Sequence, residues 1–288
     1  MTTNDQSGER HRFSGPHGSA ITHVSIDEAL SNNWLDIWYQ PKIDLRRKCL
    51  AGAEALLRMH HPQAGLLWPE DYTGALDDES LVKLTEYSLV TAMRQWVVFE
   101  EAGFGLQLSI NVPANLLPNI PINALVTAHR PQSEKWPGLI LELTEDQIVR
   151  DFSAIRQMAK ELKSNGIAIA IDEFGAGYSS FSSLRDLPFA ELKLHGSFVN
   201  NCAVDVTNAA ICQTAIDLAH RFDSSAVAGG IDTIADLQAL IVMGCDFGQG
   251  ALVASPLPKD RFLDALRQHM NKPRAPEQPA DGGKERVA

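Results

Sequence analysis

Short apolar or β-branched runs recur along the middle of the chain, at Ile37–Ile43, Leu50–Leu57, Leu106–Asn111, Leu139–Leu143, Ile167–Asp172, Ala190–Leu194, Ser225–Ala228 and Cys245–Leu252. Runs this short and this apolar read mostly as buried parallel strands. From the second run onward, segments with helical spacing intervene: Glu79–Glu101, Ile122–His129, Ser153–Asn165, Ser179–Asp186, Thr207–Phe222 and Ile234–Met243. Strand followed by helix, about eight times over, predicts an α/β fold built as a (β/α)8 barrel. The first two runs are joined by Asp44–Cys49, too short for a crossover helix, so they are expected to form an antiparallel hairpin. The barrel is therefore a TIM barrel modified by an antiparallel first strand.

Polar residues stand at or beside the ends of these runs: Glu54, Asn111, Glu142, Asp172 with Glu173, Lys193 and Gln249. Barrel chemistry sits on the C-terminal rim of the strands. Taken singly, Glu54, Glu142 or Asp172 would be a rim salt bridge or a helix cap, and Lys193 a strand-end lysine paired with an acid. Taken together, carboxylates and an amide on one rim build a site for a hard cation, which prefers oxygen ligands. The seventh position breaks the series. It reads Ala228-Gly229-Gly230-Ile231-Asp232, with glycine where such a site needs a carboxylate, and a glycine there admits the left-handed backbone that other residues avoid.

Composition narrows the reading further. With 288 residues and 44% hydrophobic content, the chain can bury one large core. A net charge of −11 excludes a nucleic-acid polymer as partner but leaves room for a small phosphate ligand beside a metal. Cys49, Cys202, Cys212 and Cys245 have no zinc-like spacing and read as reduced core thiols. The N-terminus lacks an apolar signal core and no stretch reaches membrane-span length, which predicts a cytoplasmic protein with no membrane partner. Residues 1–22 and 271–288 read as disordered tails around one domain at 23–270. His60 and His61, before Pro62, read as surface loop residues, Trp34 and Trp38 as packing residues, and Glu79–Glu101 as a core helix.

The segments Tyr39-Gln40-Pro41-Lys42-Ile43, Glu54-Ala55-Leu56-Leu57-Arg58, Ser109-Ile110-Asn111-Val112, Leu141-Glu142-Leu143-Thr144-Glu145, Asp172 to Ser180, Leu192-Lys193-Leu194 and Gly248-Gln249-Gly250 stand in order between Trp38 and Pro258. That ordered set resembles the EAL family of bacterial cyclic di-GMP phosphodiesterases and their non-catalytic relatives. The resemblance implies an EAL-type barrel in which two Mg2+ or Mn2+ ions cut cyclic di-GMP to linear pGpG. It implies that Glu54, Asn111, Glu142 and Asp172 ligate the first metal, with Asp172 bridging to the second. Lys193 matches the lysine that orients the attacking water, and Arg58 and Gln249 match residues that contact the nucleotide or support the site.

Five positions depart from the family pattern. Glu173 stands for a second aspartate, Gly229 for a metal-binding glutamate cast as the general base, and His195 for an aspartate of the water network. Asp232 replaces a glutamate, and Ala176 a threonine in the loop that couples dimerisation to the site. The expectation is a degenerate domain that binds cyclic di-GMP and one divalent metal, with absent or weak phosphodiesterase activity. Two alternatives stay open: an active Mg2+- or Mn2+-dependent enzyme in which Glu173 and His195 rebuild the second metal site, and a protein-interaction module without nucleotide. Besides cyclic di-GMP, the partners this reading allows are a second copy of the chain and a separate signalling protein.

Overall fold

The computed structural model of the chain describes residues 24–175 and 185–270. Its strands are β1 (Leu35–Asp44), β2 (Cys49–His61), β3 (Gly65–Leu67), β4 (Gln107–Asn111), β5 (Leu139–Thr144), β6 (Ile167–Phe174), β7 (Glu191–Leu194), β8 (Ser225–Ala228), β9 (Phe247–Gly248) and β10 (Leu257–Pro258). They form one ten-stranded sheet in which β3 and β10 are end additions, and the other eight close on themselves through β9–β1 and β1–β2 pairing. β2 and β4 to β9 run parallel, while β1 is antiparallel to both its neighbours. The expected hairpin is present. Its turn is fixed by Asp44, whose Oδ1 accepts the backbone N–H groups of Arg46 at 2.9 Å and Arg47 at 2.6 Å.

The barrel strands alternate as far as Asp172, beyond which the register of β6 shifts at Glu173. Leu108 and Ile110, Leu139, Leu141 and Leu143, and Ile167, Ile169 and Ile171 face outward into the main apolar core, so Ser109, Asn111, Glu142 and Asp172 face the barrel interior. Leu192 and Leu194 do the same on β7, which turns Glu191 and Lys193 inward. The wall is therefore sealed by aliphatic packing against helices while the lumen carries charge. Where β1 closes the barrel, Tyr39, Phe99 and Phe262 pack ring to ring at 4.9, 5.5 and 5.5 Å between centroids. Deep in the lumen, the Lys42 ammonium is held by both oxygens of Glu191 at 2.5 and 2.7 Å, fully buried.

Helices Asp78–Glu101, Ile122–His129, Phe152–Lys163, Val206–Arg221 and Ile234–Met243 fall where the spacing predicts them. Caps set their ends: Asp77, Asp205 and Thr233 accept N–H groups of the first turn, and Gly244 at φ 85° stops Ile234–Met243. Several expectations need correction. The run Cys245–Leu252 is a strand only at Phe247–Gly248, because Gly250 passes so close to the Ile231 backbone that a Cβ there would meet it at 2.2 Å. The final helix Lys259–Met270 was not anticipated, although Phe262, Leu263 and Leu266 give it a buried stripe. Cys49 is exposed, unlike the other three thiols. His60 and His61 close β2 rather than a loop, and His61 Nδ1 accepts the N–H groups of Gln63 and Ala64. Among the described residues no helix is long and apolar enough to cross a membrane. The predicted tails, Ala176 and most of the predicted Ser179–Asp186 helix lie outside the described residues.

Candidate active site

The alternation that turns polar residues inward also gathers them. Lys193 Nζ donates to Glu142 Oε2 at 2.7 Å, Glu54 Oε2 at 2.9 Å and Asp172 Oδ2 at 3.3 Å. Glu54 accepts in addition from Asn111 Nδ2 at 2.6 Å and Gln249 Nε2 at 2.5 Å. Six residues predicted from the sequence thus meet at one point, contributed by β2, β4, β5, β6, β7 and the segment after β9. Glu54 and Glu142 are buried, and Asp172 is the most exposed of the three acids.

Burial and charge set the protonation of this cluster. Burial alone would raise Glu54, but the charge of Lys193 and the bonds from Lys193, Gln249 and Asn111 outweigh it and lower its pKa to about 2. Glu142 goes the other way. Burial, then the charges of Glu54 and Asp172, overcome Lys193 and push it up to about 7. Burial likewise opposes the charge on Lys193, yet Asp172, Glu142 and Glu54 hold its pKa well above the ordinary lysine value.

Three carboxylates face one ammonium, so the cluster carries two negative charges more than it neutralises when all three acids are ionised. Oxygen donors and that surplus suit a divalent hard cation. Two things must move to admit one. The Lys193 ammonium stands between the acids, and Asn111 turns its NH2 rather than its carbonyl toward Glu54. As they stand, no three Asp, Glu, His or Cys side chains among the described residues are placed to hold an ion unaided.

The other half of the rim is chemically poorer. His195 is the N-cap of the Gly196–Val199 turn: its Nδ1 accepts the Ser197 N–H at 3.2 Å and lies 2.7 Å from Ser197 Oγ. An Nδ1 that accepts a backbone N–H leaves the ring proton on Nε2. Glu173 is exposed and sits at φ 55°, its N–H bonded to Asp172 Oδ1 at 2.7 Å. Gly229 lies beside Lys193, where an added Cβ would meet Lys193 Cε and Leu194 O at 3.6 Å, ordinary contact distance. The left-handed backbone expected at Gly229 belongs instead to Gly230, at φ 72°. Asp232 is exposed.

Arg58 is buried beyond the rim, its guanidinium 5.7 Å from the Trp38 ring and 5.5 Å from the Trp68 ring. Nη1 donates to Leu57 O at 2.7 Å, while the buried Nε has no partner among the described residues. Trp38 is therefore more than a packing residue. Trp68 is the second ring beside the guanidinium, and its only signal in the sequence is a tryptophan before Pro69 at a helix start. Glu145 is a further working residue without a sequence signal of its own: buried just after β5, it accepts the Gly175 N–H at 2.9 Å and so anchors Gly175 behind Asp172 and Glu173.

Comparison with known proteins agrees with this architecture. Residues 23–256 match the EAL domain, and the chain belongs to that family. A cyclic di-GMP phosphodiesterase of Pseudomonas aeruginosa is 34% identical over 248 residues, which cover 85% of this chain and 42% of that protein. The bifunctional diguanylate cyclase/cyclic di-GMP phosphodiesterase MucR of the same organism is 33% identical over 244 residues, 84% of this chain and 36% of that protein. The chain thus spans less than half the length of these relatives. A solved structure of the PaMucR phosphodiesterase in complex with c-di-GMP is 32% identical with a TM-score of 0.75, covering 82% of this chain and 97% of that one.

Proposed function

We propose that the chain is a cyclic di-GMP-binding domain that holds one divalent cation, Mg2+ or Mn2+, through Glu54, Asn111, Glu142 and Asp172. Hydrolysis of the nucleotide is slow or absent, and the domain acts in second-messenger signalling in the cytoplasm, by itself or through a partner protein or second copy. The observation that carries this reading is the asymmetry of the rim. Four oxygen-bearing side chains converge from successive strands on one side, whereas on the other Gly229 offers no side chain and His195 spends Nδ1 on a helix cap. Binding of cyclic di-GMP to the relative of the PaMucR structure supports the choice of nucleotide. Buried Arg58, whose Nε has no partner among the described residues, supplies a donor suited to phosphate.

A bound cation would supply charge for phosphate oxygens and an activated water. The chain's own contribution is to collect acids around Lys193 and to keep that lysine charged where a water would be oriented. Calorimetry should detect cyclic di-GMP in the micromolar range or tighter, about −8 kcal/mol or better. Under the same conditions pGpG should form far below the usual enzymatic range of ~1–10³ s⁻¹; turnover inside that range rejects the proposal.

Repair tests the cause. The triple variant Gly229→Glu, His195→Asp and Glu173→Asp fits the local structure at each position. There is room for a Cβ at Gly229, aspartate is a strong N-cap at 195, and aspartate tolerates the positive φ of 173 better than glutamate does. The triple variant should gain metal-dependent pGpG production, more than the singles together, because ligands of one site act as a unit. A folded triple variant that binds nucleotide and two metals yet stays inactive refutes this attribution.

A further inference from the structure

We propose a second ligand site, for a single-chain anionic amphiphile such as a fatty acid, in an apolar groove on the outside of the barrel. The groove runs along the outer face of β1 toward the Asp44–Cys49 turn, between helices Ile234–Met243 and Lys259–Met270. That turn lies at the N-terminal end of β2, the opposite end of the barrel from the Lys193 cluster. Its volume is about 580 Å3, inside the ~300–1,000 Å3 span of small-molecule sites. Ile43, Leu50, Leu237, Ile241, Phe262 and Leu266 make up much of a mainly apolar lining. Ile234 and Ile241, both on this lining, remain exposed, at 62% and 38%.

The charged groups of the lining, Asp44 and Lys48, both belong to the turn, and Gln238 on the helix Ile234–Met243 adds an uncharged polar side chain. Asp44 is committed to the turn, bonded to the N–H groups of Arg46 and Arg47 and paired with the Arg47 guanidinium at 3.5 Å. Arg46 and Lys48 are exposed and have no ion-pair partner among the described residues, and Lys48 lines the groove. The turn that borders the groove thus carries two cations without an acid partner, Lys48 on the lining and Arg46 two residues before it, on a chain of net charge −11. An apolar trough with a cationic mouth matches a ligand with an aliphatic tail and an anionic head; a neutral or cationic amphiphile would leave the mouth uncompensated.

Cys49 lies at this mouth and is exposed, while Cys202, Cys212 and Cys245 are buried, and burial raises the pKa of each buried thiol. Alkylation by uncharged N-ethylmaleimide therefore reads the groove through one residue. With the full chain, monomeric dodecanoate should slow alkylation of Cys49 saturably, roughly tenfold once it stands ~10-fold above its dissociation constant. Dodecyltrimethylammonium should protect far less. Arg46→Glu with Lys48→Glu should weaken dodecanoate protection roughly tenfold or more, and Ala254→Trp, which fills the trough, should abolish it with the thermal transition preserved. If Ala254→Trp does not fold, Ala265→Trp, at an exposed lining position, takes its place. Absence of saturable protection, equal protection by the cationic amphiphile, or protection by phosphatidylglycerol vesicles alone would each overturn the site, the last by showing surface adsorption instead.

Discussion

Glu142→Gln should stabilise the metal-free protein, against the usual result of altering a buried acid. In the fold, burial and the neighbouring acids raise Glu142 from 4.5 to about 7. Each tenfold change in proton affinity is worth about 1.4 kcal/mol, so a rise of this kind destabilises the fold by on the order of 1–3 kcal/mol once the group is ionised in both states. The sign follows from proton binding. Between about pH 4.5 and 7 the folded state keeps a proton that the unfolded state has released, so this contribution to stability falls as pH rises and levels off above 7. Glutamine removes the charge and leaves Lys193 paired with Glu54 and Asp172. For a domain of this size, ~1 kcal/mol moves the thermal midpoint by roughly 2–4 °C, so the variant should melt several degrees higher at pH 8 and show little gain near pH 4.5. Calorimetric melts across that range in the presence of a chelator measure it. Saturating Mn2+ should then invert the order, because only the parent keeps the carboxylate. A metal-free variant that melts lower at pH 8 refutes the charge argument.

Other perturbations separate structure from binding. Glu191→Gln should cost about 3–5 kcal/mol in urea unfolding, since it strands the buried Lys42 ammonium, whereas Lys42→Met with Glu191→Leu should recover most of the loss. Trp68→Ala should weaken cyclic di-GMP binding by the ~0.5–2 kcal/mol of one cation–π contact, with Trp68→Phe recovering part of it and Mn2+ affinity unchanged. His195→Ala should lower stability by about 1 kcal/mol through loss of a cap, while His195→Asp should not.

Much of this architecture is legible in the sequence because the strands alternate. Leu139-Ile140-Leu141-Glu142-Leu143 and Ile167-Ala168-Ile169-Ala170-Ile171-Asp172 carry aliphatic residues every second position, so the acids that end them must face the lumen. The hairpin follows from a turn too short for a crossover. Less legible are features that depend on partners distant in sequence. Lys42 and Glu191 look like surface charges until closure brings them together 149 positions apart. Trp68 reaches Arg58 because β3 folds back on β2. The abrupt end of β9 comes from the Ile231 backbone crossing at Gly250, a contact that periodicity does not encode. At Gly229, residue type suggested unusual backbone geometry, but it is Gly230 that carries it.

That distinction bears on the proposal that the rim is one carboxylate short at position 229. Had Gly229 stood in the left-handed region, a glutamate there would be strained and the loop itself would call for glycine. Its surroundings instead leave room for a Cβ next to Lys193. The backbone would accept the side chain, so the loop gives no physical reason for its absence. The rest of the rim behaves consistently with that conclusion. His195 has a structural occupation as a cap, and Glu173 keeps a positive φ that an aspartate would bear more easily. Lys193 donates to all three carboxylates and stands in the space between them. A cation entering there must compete with that ammonium, so its affinity measures the balance between one fixed lysine and the acids of three strands.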